Sequence, residues 1–397
     1  MKSRNMVFAC AGGVLAACAQ GQTYEVHLVE FGLRPAQAWC VNGGGTPGGA
    51  FISTTHNAYR GFVGEGQTLL PAAGDTQTVV FAVDDAGRAA AVSFAIGDPG
   101  ERALLADATG ATVLGDFCPR GLGADGRVVG SRVVTFGPGW FGRRACVHSE
   151  AGLTDLPSLG GEYSQAMAAG PGDWVVGFSF TATGLTPRAT LWTGGAARDL
   201  GTLGGAAAEA LGAGSGGAGG WVVGMSETAS GVQRPFLYSL DAGGNVTLRR
   251  DLGTLGVGGG NYGAAYGVNA SGHVVGTSAD HAFLYRDGVL HDLGTLVVNL
   301  GHWHLSAASA INDAGQIVGW GVYKGWPAAF VLTPVAACDP DLNGDGNVDQ
   351  DDVAYLVDVV GGGSNPTGVD PDFNRDGNVD QDDVAALINV IAGGACP

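Results

Sequence analysis

Two runs near the C-terminal end of the sequence carry side chains able to hold a hard cation. Asp341, Asn343, Asp345, Asp349 and Asp352 place oxygens at positions 1, 3, 5, 9 and 12 of a loop, with Gly346 at position 6 and the carbonyl of Asn347 at position 7. Asp372, Asn374, Asp376, Asp380 and Asp383 repeat this spacing 31 residues later, with Gly377 and Asn378 in the corresponding places. Ca²⁺ takes many oxygen ligands, the glycine permits the sharp turn, and no soft ligand intrudes. Two complete copies predict two bound calcium ions. Each loop runs into a short apolar stretch, 353–360 and 384–391, that reads as a helix. The prolines of Cys338-Asp339-Pro340 and Gly368-Val369-Asp370-Pro371 exclude a helix before either loop.

The charge distribution agrees with this reading. From Cys338 onward there are thirteen Asp, no Glu and one Arg (Arg375), a net of −12, which leaves −6 of the total −18 for the preceding 337 residues. The acidity is therefore a local cation-binding device, and a basic face for nucleic acid is lacking. Cys338 and Cys396 bracket the acidic stretch and are expected to pair, clasping its ends.

The remainder must be built differently. With 72 Gly, 16 Pro and only 14% charged residues, it suits an all-β chain with many tight turns. Self-similarity identifies the architecture. Asp-Leu-Gly-Thr-Leu occurs at Asp199–Leu203, Asp251–Leu255 and Asp292–Leu296, with a looser copy at Asp155–Leu159. Val-Val-Gly or a variant ends at Gly130, Gly177, Gly224, Gly276 and Gly319. A third phrase begins at Arg60, Arg102, Arg144, Arg188, Arg234, His281 and Ala328, seven copies spaced by 42 to 47 residues. Each unit reads as four short strands with Asn/Asp/Gly turns, the size of a propeller blade. A long-runged β-solenoid is the competing architecture. The seventh unit lacks its last strand, and Tyr24–Val29 has that strand's pattern, so the N-terminal segment is expected to close the ring. The fold class is thus all-β: a seven-bladed propeller of four-stranded blades, followed by a small α-helical two-loop calcium domain.

The first residues read as an export signal: Lys2 and Arg4, an apolar run from Met6 to Ala17, then small residues. Residues 1–19 are assigned to the signal, 20–335 to the propeller and 338–397 to the calcium domain. Two cleavage readings stand, a cut before Gln20 and a lipobox at Leu15–Cys18 that would lipidate Cys18. Either gives an extracellular setting, secreted or surface-anchored, and no later segment is long enough to span a bilayer. Cys40, Cys118 and Cys146 cannot all pair with one another, and the sequence leaves their partners open.

Two resemblances follow from these motifs. Asp-Leu-Gly-Thr-Leu, His281-Ala282-Phe283 and Ile311–Gly319 resemble bacterial extracellular HAF repeats over roughly 150–332, and weakly over 24–149, which implies architecture more than activity. The duplicated loop–helix pattern over 338–397, with Asp at position 12, resembles a type I dockerin, which implies a cohesin-like partner. In that resemblance loop positions 10 and 11, Gln350 and Asp351 with Gln381 and Asp382, belong to the partner-binding surface. Their identity in both copies would permit two symmetry-related docking poses. The basic and hydroxyl residues common on cellulosomal dockerins are missing here.

A catalytic constellation is not evident. Asp155, Asp199, Asp251 and Asp292 recur at one blade position and are expected to cap turns, and Asn42, Asn269 and Asn312 to form turns. The variable connections Gly161–Gln165, Gly205–Glu209, Val257–Gly263 and Val297–Ser306 are the expected place for a polysaccharide or cell-surface ligand. The longest contains His302, Trp303 and His304, a possible metal pair or sugar platform. Glu162 and Glu209 are the acids a glycosidase would need on that face. Binding or structural function is the leading expectation. The alternative is a carbohydrate-active enzyme or an accessory protein of polysaccharide catabolism.

Overall fold

The computed structural model describes residues 23–29, 35–53, 58–64, 67–96, 100–137, 140–184, 186–257, 260–335, 340–374 and 378–394. The export signal with Cys18, the Cys338–Cys396 pairing and Asp376 lie outside them. Thr23–Pro334 forms one compact unit, and the segment from Val335 belongs to another.

The larger unit contains seven four-stranded antiparallel sheets. Written from innermost to outermost strand, blade 1 is Ala36–Val41, Pro47–Ser53, Ala58–Val63 and Gln67–Leu69; blade 2 is Gln77–Val83, Ala89–Phe94, Arg102–Asp107 and Gly110–Gly115. Blade 3 is Cys118–Leu122, Val128–Gly137, Trp140–Ser149 and Gly152–Asp155; blade 4 is Gly160–Ala169, Val175–Thr181, Pro187–Thr193 and Ala196–Asp199. Blade 5 is Gly204–Gly214, Gly219–Thr228, Gln233–Asp241 and Val246–Asp251; blade 6 is Gly263–Val268, Val274–Ser278, His281–Arg286 and Val289–Asp292. Blade 7 takes Trp303–Ile311, Ile317–Tyr323 and Trp326–Pro334 from the end of the repeats and its outermost strand, Tyr24–Leu28, from the start. The chain is a seven-bladed β-propeller, closed as the missing last strand required.

The glycine of the Val-Val-Gly phrase has a steric cause. Every innermost strand carries a bulge at the same place, the extra residue being Trp39, Phe81, Arg120, Met167, Leu211, Tyr266 or Ser309. The bulge brings a carbonyl over the second strand. A Cβ on Gly49, Gly130, Gly177, Gly224, Gly276 or Gly319 would lie 1.9–2.1 Å from that oxygen. Blade 2 carries Ala91 at this position.

Asp-Leu-Gly-Thr-Leu is a latch between blades. Asp199, Asp251 and Asp292 accept the N–H of Gly201, Gly253 and Gly294 at 2.8–2.9 Å, as the turn-capping role predicts. The first leucine is buried between blades (Leu200, Leu252, Leu293). The N–H of Leu203 donates to the buried hydroxyl of Ser226, and Leu159 and Leu255 do the same to Ser179 and Ser278. That serine, on the following blade's second strand, satisfies a backbone donor that would otherwise be stranded.

The C-terminal segment holds two helices, α1 (Gln350–Val360) and α2 (Gln381–Ile391). Both begin three residues before the apolar stretch predicted, because Asp349 with Asp352, and Asp380 with Asp383, form capping boxes that nucleate the first turn. Leu342, Leu356, Phe373 and Leu387 are its buried core.

Candidate functional sites

The predicted calcium ligands lie in two loops whose described residues match, the second being described except for residues 375–377. In the first, the N–H groups of Gly344 and Gly346 donate to Asp341 (2.9 and 2.8 Å), and those of Asp345 and Asn347 donate to Asn343 and Asp345 (both 2.8 Å). Gly346 takes φ +88°, the left-handed turn anticipated for position 6. Asp352 is fully buried, its oxygens accepting the N–H groups of Asn343 (3.1 Å) and Asp349 (2.9 Å). Asp383, equally buried, receives Asn374 (2.9 Å) and Asp380 (2.8 Å) in the second loop. Asp372 and Asn378 lie in this loop as well.

Among the described residues, no three Asp, Glu, His or Cys side chains are gathered into a metal-binding cluster. The donor set nevertheless fits a calcium ion. Each oxygen of Asp352 accepts one N–H and retains a second lone pair. A buried carboxylate calls for a cation, and Arg375 is the only basic residue from 338 to 397. Gln350, Asp351, Gln381 and Asp382, in the first helical turns, are all exposed.

In the propeller, two of the four connections singled out as ligand loops are strand instead. Gly161–Gln165 and Gly205–Glu209 belong to innermost strands, because the bulged strand extends to the very start of each unit. Trp303 is the first residue of blade 7 and is buried, packed at 5.0 Å on Tyr323 and edge-on to Phe330, so it is core and not a sugar platform. His304 pairs with Asp280 (3.5 Å) and meets His281 edge-on, while His281 pairs with Asp292 (2.9 Å). The long connection before Trp303 serves closure: Tyr24 donates to Leu296 O and accepts from Val298 N (both 2.9 Å), and Val26 donates to Asn299. Among the described residues Cys40, Cys118 and Cys146 are all free and buried. Desolvation pushes the thiols of Cys40 and Cys146 up to about 12 and raises that of Cys118, so they are inert neutral thiols.

Sequence reasoning missed the lining of the central channel. The bulged residues are half-buried in every blade. Those of the first three blades touch across blade boundaries: Trp39 stacks on Phe81 at 5.3 Å, and the Arg120 guanidinium lies 4.4 Å from the Phe81 centroid. Glu209, two positions before the blade 5 bulge residue, is raised by desolvation. Glu162 is exposed near the start of blade 4's innermost strand, whereas the blade 4 counterpart of Glu209 is Gln165, so the two acids sit at different depths. At one mouth of the channel a cavity of about 500 Å³ is ringed by inner turns including Asn42, Asp85, Ser215, Asn269 and Asn312. Asn269 donates to Asn312 O (3.2 Å), Asn312 to Asn42 O (2.9 Å) and Asn42 to Asp84 O (3.1 Å), a chain of bonds joining blades 6, 7, 1 and 2. The repeated signal for this ring, Asn at the inner turn, is readable in sequence. The bulge residues differ in type from blade to blade and carry no such signal.

No protein-family model and no curated protein matches the chain. Among solved structures it is similar to a streptogramin B lyase (12% identity, 79% of this chain and 98% of that one, TM-score 0.45). It is also similar to the acylaminoacyl peptidase of Pyrococcus horikoshii (11%, 79% and 54%, TM-score 0.46) and to the Dos1 propeller (11%, 79% and 95%, TM-score 0.41). Among the described residues no helix is long and apolar enough to cross a membrane.

Proposed function

We propose that the chain is an extracellular, non-catalytic binding protein whose C-terminal segment takes two Ca²⁺ ions and, so ordered, docks onto a cohesin-like partner. One observation carries the reading: Asp352 and Asp383 are fully buried at equivalent loop positions, with the same backbone donors and, among the described residues, no basic side chain paired with either. Calcium supplies the missing positive charge, held by Asp341, Asn343, Asp345, Asp349 and Asp352 in one loop and by Asp372, Asn374, Asp376, Asp380 and Asp383 in the other. The Asn347 and Asn378 carbonyls complete the two sets. The duplication extends to the surface. Val348 and Val379 are each 48% exposed, and Val357 and Ile388 are 52% and 50% exposed at matching places on α1 and α2. With Gln350, Asp351, Gln381 and Asp382, these make two like patches for a partner.

Calorimetric titration of Ca²⁺ into the whole exported chain is expected to show two ions bound. Calcium-loaded protein is then used for capture from the source secretome, with and without chelator, followed by identification of what is retained. Two ions with a cohesin-like protein held only in calcium supports the proposal. Two ions without such a partner reduces the segment to a calcium-stabilised cap, and absence of binding refutes the calcium reading.

A further inference from the structure

A cavity of about 460 Å³ lies between blades 3 and 4, lined by Val134, Phe136, Leu156 and Pro157 with the charged Arg144 and Asp155. Apolar walls with a few convergent polar groups are the usual make-up of a small-molecule site. The charges here depart from the pattern of the other blades. Where a cation opens the third strand, it is normally engaged: Arg188 bonds Asp199 (2.9 Å), His281 bonds Asp292 (2.9 Å) and Arg234 donates to Thr254 (3.1 Å). In blade 3 the equivalent acid, Asp155, is taken by Arg132 through two bonds of 2.6 and 2.7 Å. Arg132 and Arg144 are direct cross-strand partners, an arrangement in which like charges repel. One carboxylate thus faces two guanidinium groups and bonds only that of Arg132. Arg144 makes no hydrogen bond or ion pair among the described residues and lies instead 5.2 Å from the Phe136 centroid. Its neighbour Arg143 is engaged by Glu101 at 2.7 Å and leaves the imbalance in place.

The second and third strands of blade 3 also run longer than those of blade 4 across the cavity. Val128–Gly137 and Trp140–Ser149 have 10 residues each, against 7 for Val175–Thr181 and Pro187–Thr193 in blade 4. The extension supplies Phe136 to the cavity, while Val134 and Arg144 come from the part of the two strands that blade 4 shares. We propose that this cavity binds a small organic carboxylate, its charged end paired with the planar donor edge of Arg144 and its apolar body packed on Phe136, Leu156 and Pro157. A guanidinium already stacked on a ring is pre-oriented for two parallel bonds to a carboxylate. Nothing in this assignment depends on the calcium segment.

The test is fluorine NMR titration of the whole chain with 4-fluorophenylacetate, alongside its neutral amide. The expected result is saturable binding of the carboxylate in the millimolar range or tighter, with the amide weaker. Arg144→Gln is expected to weaken carboxylate binding by about tenfold or more, as loss of a charge-assisted bond requires. Arg132→Gln frees Asp155 to capture Arg144 and should weaken it as well. Arg250→Gln, which removes the same charge from an exposed site on blade 5, should leave it unchanged. Thermal unfolding of each variant confirms that it is folded. Absence of saturable binding, equal binding of the amide, or full affinity in folded Arg144→Gln overturns the proposal.

Discussion

The propeller and the C-terminal segment solve the problem of stability in opposite ways. The propeller is poor in charge and rich in redundant contacts: the same bulge, the same close-approach glycine and the same leucine–serine latch recur around the ring. The C-terminal segment buries four large apolar side chains, Leu342, Leu356, Phe373 and Leu387, and carries twelve more negative charges than positive ones. So small a core supplies little stability by itself. In the propeller, repeated packing carries the fold; in the segment, the ions proposed above would add to a small core, because any ligand that binds only the folded form stabilises it according to its affinity.

Asp352→Ala should break this comparison most sharply. It removes the acceptor of the N–H groups of Asn343 and Asp349, a loss of about 1–3 kcal/mol for each donor left without a partner. Calorimetric titration should then count one calcium ion instead of two, while the melting of the propeller stays in place. Gly224→Ala should do the reverse. Its new Cβ would stand 1.9 Å from the Glu209 carbonyl and cost about 3 kcal/mol, lowering the propeller's melting temperature and leaving calcium binding untouched. The smallest effect is expected from Glu209→Gln. Because desolvation raises the Glu209 carboxyl, the folded state binds its proton more tightly than the unfolded state does. Its ionisation therefore subtracts stability as pH rises through the raised value. The glutamine variant should melt slightly higher than the parent at neutral pH. The difference should shrink to nothing in acid, where the parent is protonated in both states, and thermal melts across pH would check this.

Much of this was readable in the residues. The seven copies of the third phrase correspond to the seven third strands, and Tyr24–Leu28 supplies the missing outermost strand because its pattern matches that place in the repeat. The capping role of Asp199, Asp251 and Asp292 was readable for the same reason: a local Asx turn needs only the residues beside it. The His302–His304 segment misled because its length suggested a ligand loop. The residues just before it, Leu296, Val298 and Asn299, instead bond the N-terminal strand, a partner some 270 residues away in sequence. The blade 3 cavity was invisible for a related reason. Arg132 and Arg144 look like any two basic residues until strand pairing sets them opposite each other with one acid between them.

The sequence by itself determined the repeat, the number of blades, the mode of closure and the donor order of the proposed calcium loops, because each depends on spacing within one short segment or on its recurrence. Tertiary structure alone decided which side chains line the channel, which cations are satisfied and where the cavities lie. Those properties come from neighbouring blades meeting at a bulge or a strand edge, and the distance between two residues on different blades is set by the closed ring, not by their separation along the chain.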